Sequence, residues 1–417
     1  MTEFYDEAET LSPDDRAARQ CARLREILDL LRAKAPFAWE RLGLSDPAAV
    51  ADPTALAALP VLRKSDLTAL QAERPPFGGL TTKPAAEFDH VFMSPGPIFE
   101  PGSRAPDWWR FARALHALGV RKGDIVHNCF AYHLTPAGQM FDSAARALGC
   151  AVLPGGIGAT EQQVAAIGAV RPAAYAGTPD YLKTLLEKAD EAGVDAGAYR
   201  FALVSGGALF PSLRAFYAER GVRCLQCYGT ADLGLVSYET LGPDGEPCEG
   251  MVLDEGVMVE IVRPGTGDPV ADGEVGEVVV TTLNADYPLI RFATGDLSAI
   301  LPGQSPCGRT GRRIKGWMGR ADQRTKIKGM FVDPAQVDAV AKRHPEIKRL
   351  RVVVSRDGQA DVFVVKCESE QSDPGLAAQV AETVAAAFKL KGSVELVPVG
   401  SLPNDGKVIE DARDYDA

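Results

Sequence analysis

Apolar and polar positions change rhythm three times along this 417-residue chain. Over residues 1–80 the apolar positions recur at helical spacing, as in "RAARQCARLREILDLLRA", and the stretch closes on the Pro-rich "ERPPFGG". From residue 88 short apolar runs alternate with amphipathic ones. "FDHVFMS", "DIVHNCF", "CAVLP", "AAYAGT", "FALVSGG" and "VRCLQCYG" read as strands. "PDWWRFARALHALG", "PAGQMFDSAARALG", "TEQQVAAIGAV", "PDYLKTLLEKADEAG" and "PSLRAFYAERG" read as helices, with Pro106 suited to the first turn of the first. Such alternation predicts parallel β-α-β units, whose ligands bind beyond the carboxyl ends of the strands.

After residue 235 the helical period disappears. "GVMVEIVRP", "GEVGEVVVTTL" and "DLSAILPG", parted by Gly/Asp turns, predict a small antiparallel unit. From residue 322 both periods return: "QRTKIKG", "RLRVVVSR", "DVFVVKC" and "SVELVPV" as strands, "PAQVDAVAKRH" and "PGLAAQVAETVAAAFKL" as helices. The expectation is an α/β protein. A large N-terminal domain, residues 1–321, holds parallel α/β sheets and the small β-rich unit; a smaller α+β C-terminal domain follows, residues 322–417.

Composition narrows the function. A hydrophobic share of 46% with 24% charged residues fits a globular chain with a proper core. The net charge of −11 argues against a nucleic-acid partner, whose binding rests on neutralising phosphates. No apolar run approaches the ~18 residues that span a bilayer, so no membrane association is expected. The acidic start "MTEFYDEAET" lacks a secretory signature. Eight cysteines without framework spacing predict reduced thiols and a cytoplasmic protein. Cys224 and Cys227 form a C-x-x-C, but on a strand they face opposite sides, which predicts core packing rather than a redox or metal pair.

Three segments carry chemistry: "YGTADLG" (228–234), "YPLIRFATGDLSAILPG" (287–303) and "CGRTGRRIKGWMGRADQRTKIKGMFVDPAQVDAV" (307–340). Together with "SLPNDGKVIEDARD" near the end, they resemble the adenylate-forming acyl-CoA synthetase superfamily, and within it the phenylacetate–coenzyme A ligases. The resemblance implies an enzyme that joins a carboxylic acid to ATP as an acyl-adenylate, then passes the acyl group to coenzyme A after its C-terminal domain rotates. It implies ATP, Mg²⁺ and coenzyme A as substrates and leaves a homodimer open.

Roles carried over by resemblance are as follows. Gly206, Gly207 and Ala208 would line the adenine, which Tyr228 would stack on; Gly229 and Thr230 would complete the nucleotide contacts. Asp232 would ligate Mg²⁺, standing where relatives have glutamate. Asp296 would hold the ribose hydroxyls with Arg320 beside it. Asp322 matches the hinge, Gly329 the coenzyme A tunnel, and Lys407 the catalytic lysine of adenylation. Phe130, Tyr132 and His133 look like an aromatic acyl pocket. The basic run Arg309, Arg312, Arg313 and Lys315 reads as a solvated face or as a contact for coenzyme A phosphates.

Two departures stand against this. Where the family has a phosphate loop rich in Ser, Thr and Gly with a lysine, "SPGPIFEP" keeps Ser94, Gly96 and Pro101, while Pro95 and Pro97 lack an amide donor and Glu100 replaces the lysine. Ala231 stands at a phosphate-contacting hydroxyl position. Losing three or four charged hydrogen bonds would cost on the order of 5–10 kcal/mol. Mg²⁺ held by Asp232, the Ser103 hydroxyl, Arg104 and the amides of residues 98–100 are the candidate replacements. The second departure concerns zinc: Cys248 and Cys307 alone cannot make a four-ligand site, so no zinc is expected. Three readings stay open: an AMP-forming ligase for an aryl or arylacetic acid, a non-catalytic paralogue binding an adenylate or coenzyme A ester, and an adenylating enzyme with another acyl acceptor.

Overall fold

The apolar strand runs of the central region assemble as their alternation predicts. Ala151–Leu153, Ile125–Asn128, Ala174–Gly177, Phe201–Val204 and Arg223–Thr230 lie side by side, all parallel. Gly234–Tyr238 and Met251–Leu253 continue the sheet antiparallel, followed by Arg313–Ile314 and Ile300–Leu301. This is a computed structural model, and it describes residues 4–413 apart from 208, 322, 324, 328, 329, 358 and 359. The expected roles of Ala208, Asp322 and Gly329 therefore fall outside the described residues.

Both faces of the inner parallel strands Ile125–Asn128, Ala174–Gly177 and Phe201–Val204 are buried, which is why their sequences run apolar without alternating. Ala174, Ala176, Leu203, Leu225 and Cys227 face one core, with the helices Ala112–Leu118 and Ala137–Ala147. Tyr175, Ala202, Val204 and Cys224 face the other, with Thr160–Val170 and Pro179–Ala192. Cys224 and Cys227 thus serve opposite cores, and all eight cysteines are buried free thiols.

Two local expectations are corrected. "FDHVFMS" does not join the parallel sheet: His90–Ser94 pairs only with Ile98–Gly102, as a separate antiparallel hairpin. The three-residue turn Pro95-Gly96-Pro97 folds the chain straight back, and no helix follows to make a crossover. The helix expected from Pro106 begins only at Ala112. Asp107 and Arg110 hold left-handed backbone, at φ 50° and 71°, which a helical turn cannot accommodate.

The described residues form two compact units. The first comprises 1–259, 280–292 and 301–316, and the second 260–279, 293–300 and 317–417. The second unit contains the expected α+β sheet, ordered Ser393–Val397, Ala360–Ser369, Ile347–Asp357, Ile409–Asp411, with helices Pro334–Ala341 and Pro374–Phe388 over it. Val352, Val354, Phe363, Val365, Val380, Val384 and Phe388 fill its core. No helix among the described residues is long and apolar enough to cross a membrane.

Candidate nucleotide site

In the first unit, strand Arg223–Thr230 ends in a tight turn to Gly234–Tyr238. A Cβ on Gly229 would lie 2.6 Å from the Gly234 carbonyl, so the two strands close here only because residue 229 has no side chain. Thr230 Oγ1 accepts the Leu233 amide at 3.1 Å and donates to Asp232 Oδ2 at 3.3 Å. Gly206 holds φ 71°, and a Cβ there would stand 4.0 Å from the Phe130 ring. Gly206 and Phe130, for which the sequence predicted an adenine and an acyl contact, are therefore neighbours. Phe130 stacks on Phe141, with ring centroids 4.4 Å apart. Tyr132 is held by Asn128 at 2.8 Å, and burial with the nearby Asp142 pushes its phenol upward. His133 is exposed.

The hairpin at 90–102 is closed on itself. Its ladder pairs Ser94 with Ile98 and Phe92 with Glu100. Between these pairs, the Phe99 N–H and C=O both bind the Gln71 side-chain amide at 2.8 Å. An antiparallel ladder bonds alternate pairs, so the amides of 98–100 are all engaged. Ser103 and the Arg104 amide bind Asp89 at 3.4 and 2.7 Å. Of the candidate replacements for the lost phosphate donors, only the exposed Arg104 side chain keeps its groups outside these bonds.

Glu100 is enclosed by the protein. It is fully buried, receives the Ser94 hydroxyl in a short hydrogen bond, and is pushed up to about 7 by burial and by Asp232. Asp232, whose side chain has no exposed surface, forms an ion pair with Lys64 at 2.7 Å. Among the described residues, Glu100 Oε2, Asp232 Oδ1 and the Tyr287 hydroxyl are buried without a hydrogen-bond partner. A magnesium ion shared with a phosphate needs a carboxylate open to both, and Asp232 is instead enclosed with its charge answered by Lys64. In this arrangement the residues present do not fit that ion. No group of three or more His, Cys, Asp or Glu among the described residues could hold a metal.

In the second unit, strand Phe292–Ser298 carries Asp296. Segment 317–321 pairs alongside it: Leu297 N–H to Gly319, Met318 N–H to Leu297 and Ala321 N–H to Gly295. This pairing brings Arg320 Nη1 to Asp296 Oδ1 at 2.8 Å and Trp317 Nε1 to the same oxygen at 3.1 Å. Gly295 is required: a Cβ there would lie 2.7 Å from the Arg320 guanidinium. Trp317 and Arg320 remain more than half exposed, at 56% each. Lys407 is also exposed, in a groove lined by Arg263, Glu274, Asp338, Lys348 and Arg351. Its neighbour Gly406 backs onto Val275 and Leu297.

The remaining polar clusters are structural. Cys129 lies 3.4 Å from His127, but burial pushes the thiol up and the imidazole down to about 4, leaving both neutral and the pair inert. Arg309 is buried in an ion pair with Glu9 at 3.0 Å, and Arg313 binds the Glu249 and Pro302 carbonyls. Neither faces a ligand. Lys64, Gln71, Tyr287 and Trp317 escaped the sequence reading. Lys64 and Asp232 lie 168 residues apart, and no spacing rule links them.

The family described as AMP-binding enzyme matches residues 132–284. The chain is 32% identical to a phenylacetate–coenzyme A ligase of Thermus thermophilus over 88% of its length and 84% of the relative's. It is 28% identical to that of Escherichia coli K12, covering 96% and 95%. A crystal structure of 2-hydroxyisobutyryl-CoA ligase in the postadenylation state, with an acyl-adenylate bound, superimposes with a TM-score of 0.70 at 26% identity, covering 97% of this chain and 91% of that one. The chain belongs to the phenylacetate–coenzyme A ligase family of adenylate-forming enzymes.

Proposed function

We propose that this protein is an acid–CoA ligase that works through an acyl-adenylate of an aromatic carboxylic acid. In the full reaction, the acid displaces pyrophosphate from ATP, and a coenzyme A thiol then displaces AMP. The observation that carries the reading is Asp296 with Arg320 and Trp317 on one carboxylate oxygen, suited to grip ribose hydroxyls. The Phe130 ring beside Gly206 supports an aromatic acyl group next to the nucleotide. Asp322 as hinge, Gly329 in the tunnel and Lys407 as the adenylation lysine belong to this proposal, as does a cytoplasmic location, which the free thiols favour.

The test is AMP and acyl-CoA formation across a panel of aryl, arylacetic and short-chain acids with ATP, Mg²⁺ and coenzyme A. Turnover confined to aromatic acids is expected. Preference for short aliphatic acids would refute the substrate class.

A further inference from the structure

The first unit contains a cavity that the nucleotide reading does not use. It measures about 550 Å³, within the size range of small-molecule sites, and its lining includes none of Gly206, Tyr228, Thr230 or Asp232. The start of the chain, helix Pro13–Lys34, the segment leading into Ala112–Leu118 and the loop after Leu253 enclose it. Arginines and carboxylates line it in equal number, five of each.

Most of these charges are already matched. Arg113 binds Asp6 at 2.8 Å, Arg16 binds Glu255 at 2.9 Å and Arg110 Nε binds Asp254 at 2.6 Å. Three groups are left over. Arg19 is exposed and forms no hydrogen bond or ion pair among the described residues. Arg110 keeps Nη1 unused, since Nε and Nη2 make its bonds. Asp107 accepts the Ala112 amide on one oxygen at 3.0 Å and leaves the other without a partner. Burial raises its carboxyl to about 7, the neighbouring guanidiniums being spent on other acids. Asp107 and Arg110 also hold left-handed backbone, at φ 50° and 71°, and strain of this kind clusters at ligand clamps and switches.

We propose that this cavity is a second ligand site, for a small zwitterion of the amino-acid type with an apolar body, and that its occupant steadies the Thr230–Gly234 turn through Arg110. The carboxylate answers Arg19 and Arg110 Nη1, the ammonium answers Asp107, and Tyr5, Ala22 and Leu283 offer the apolar wall. A zwitterion preserves the charge balance of that wall, which a net anion or cation would upset. Arg110 Nη2 donates to the Leu233 and Leu235 carbonyls at 2.6 and 3.0 Å, so fixing the guanidinium fixes the chain on both sides of Gly234. The Leu235 amide in turn binds the Trp109 carbonyl at 2.9 Å.

The test titrates the intact protein with L-phenylalanine, and with 3-phenylpropionate and phenethylamine, which each lack one of its charges. Phenylalanine is expected to bind at least about tenfold more tightly than phenethylamine, the loss of one charged hydrogen bond. Arg19→Ala and Asp107→Asn should each weaken phenylalanine by a similar factor; asparagine keeps an acceptor for the Ala112 amide. An acid of the proposed ligase can bind elsewhere, so 3-phenylpropionate is scored only by what Arg19→Ala removes. Loss in Arg19→Ala of 3-phenylpropionate binding as tight as that of phenylalanine would overturn the zwitterion. No binding of phenylalanine, or binding unaltered in both variants, overturns the site and leaves the ligase reading to its own turnover assay. Hydrogen exchange reads the second half: phenylalanine should slow the amides of residues 230–235 severalfold in the wild type and not in Arg19→Ala. Unchanged exchange with phenylalanine bound would break the link through Arg110.

Discussion

The hairpin at 90–102 and the clamp at 295–320 are built from the same resources, a strand pair, a glycine and a carboxylate, and they use them in opposite ways. In the hairpin, backbone and side-chain donors are spent inward: Gln71 binds both groups of Phe99, Ser94 binds Glu100, and Glu100 has no exposed surface. In the clamp, Asp296 is buried, but the Arg320 and Trp317 side chains that bind it are more than half exposed. Buried polar groups must be satisfied by the protein itself, and once satisfied they cannot serve a ligand without breaking something. On the proposed function, a nucleotide is expected to be gripped where donors still reach solvent, at Arg320 and Trp317.

The largest expected effect tests that division directly. On the proposed role, Asp296→Ala removes the acceptor for two ribose hydroxyls; at roughly 1.5–3 kcal/mol per charged hydrogen bond, AMP affinity should fall at least about a hundredfold. Glu100→Gln, which removes a carboxylate from the hairpin, should leave AMP affinity within about threefold, because its oxygens are not offered to ligand. Isothermal titration of both variants reads the contrast. Equal losses would mean the two regions are not different in kind.

The second expectation is a pH dependence of stability. Glu100 stands near 7 in the folded chain against an ordinary 4.5, raised by burial and by Asp232. A raised carboxyl binds its proton more tightly folded than unfolded, so stability is greatest below pH 4.5 for this group and declines as pH rises to about 7. A shift of that size corresponds to roughly 3 kcal/mol at about 1.4 kcal/mol per pH unit. Asp107, also raised to about 7 by burial, adds a decline of the same sign. Urea midpoints at pH 5 and pH 7.5, compared between the wild type and Glu100→Gln, isolate the Glu100 share. If the two proteins lose stability in parallel, Glu100 is not the buried acid described.

The same contrast explains what could be read from the sequence. The parallel strands were legible because both faces are buried and their apolar runs are continuous, and the α+β sheet because its strands and helices keep clean periods. The hairpin was misplaced because "FDHVFMS" has the apolar look of a buried strand, while its fate was decided by a partner only four residues on. Asp296 and Arg320 were legible because local pairing of 295–297 with 317–321 keeps both within recognisable segments. Lys64 and Gln71 were not, since their partners lie far along the chain and long-range side-chain contacts leave no periodic trace. Arg309 and Arg313 read as a surface charge run, yet Glu9 and backbone carbonyls neutralise and bury them. Burial of arginine depends on partners that composition cannot show.

The smallest effect probes the clamp's least expected member. Trp317 donates its indole N–H to the oxygen that also receives Arg320, and its ring is open to solvent. Trp317→Phe keeps an aromatic ring and removes the donor. Because the bond is only part-buried and shares its acceptor oxygen with Arg320, its loss should cost about 1 kcal/mol, a three- to tenfold weakening of AMP binding. The melting temperature should stay unchanged, since no core contact is lost. Tryptophan emission supplies the independent reading: AMP should shift it in the wild type and leave it unmoved in Trp317→Phe. A lowered melting temperature with unaltered AMP affinity would assign Trp317 to the fold alone, and the outward-facing character of the clamp would then rest on Arg320 only.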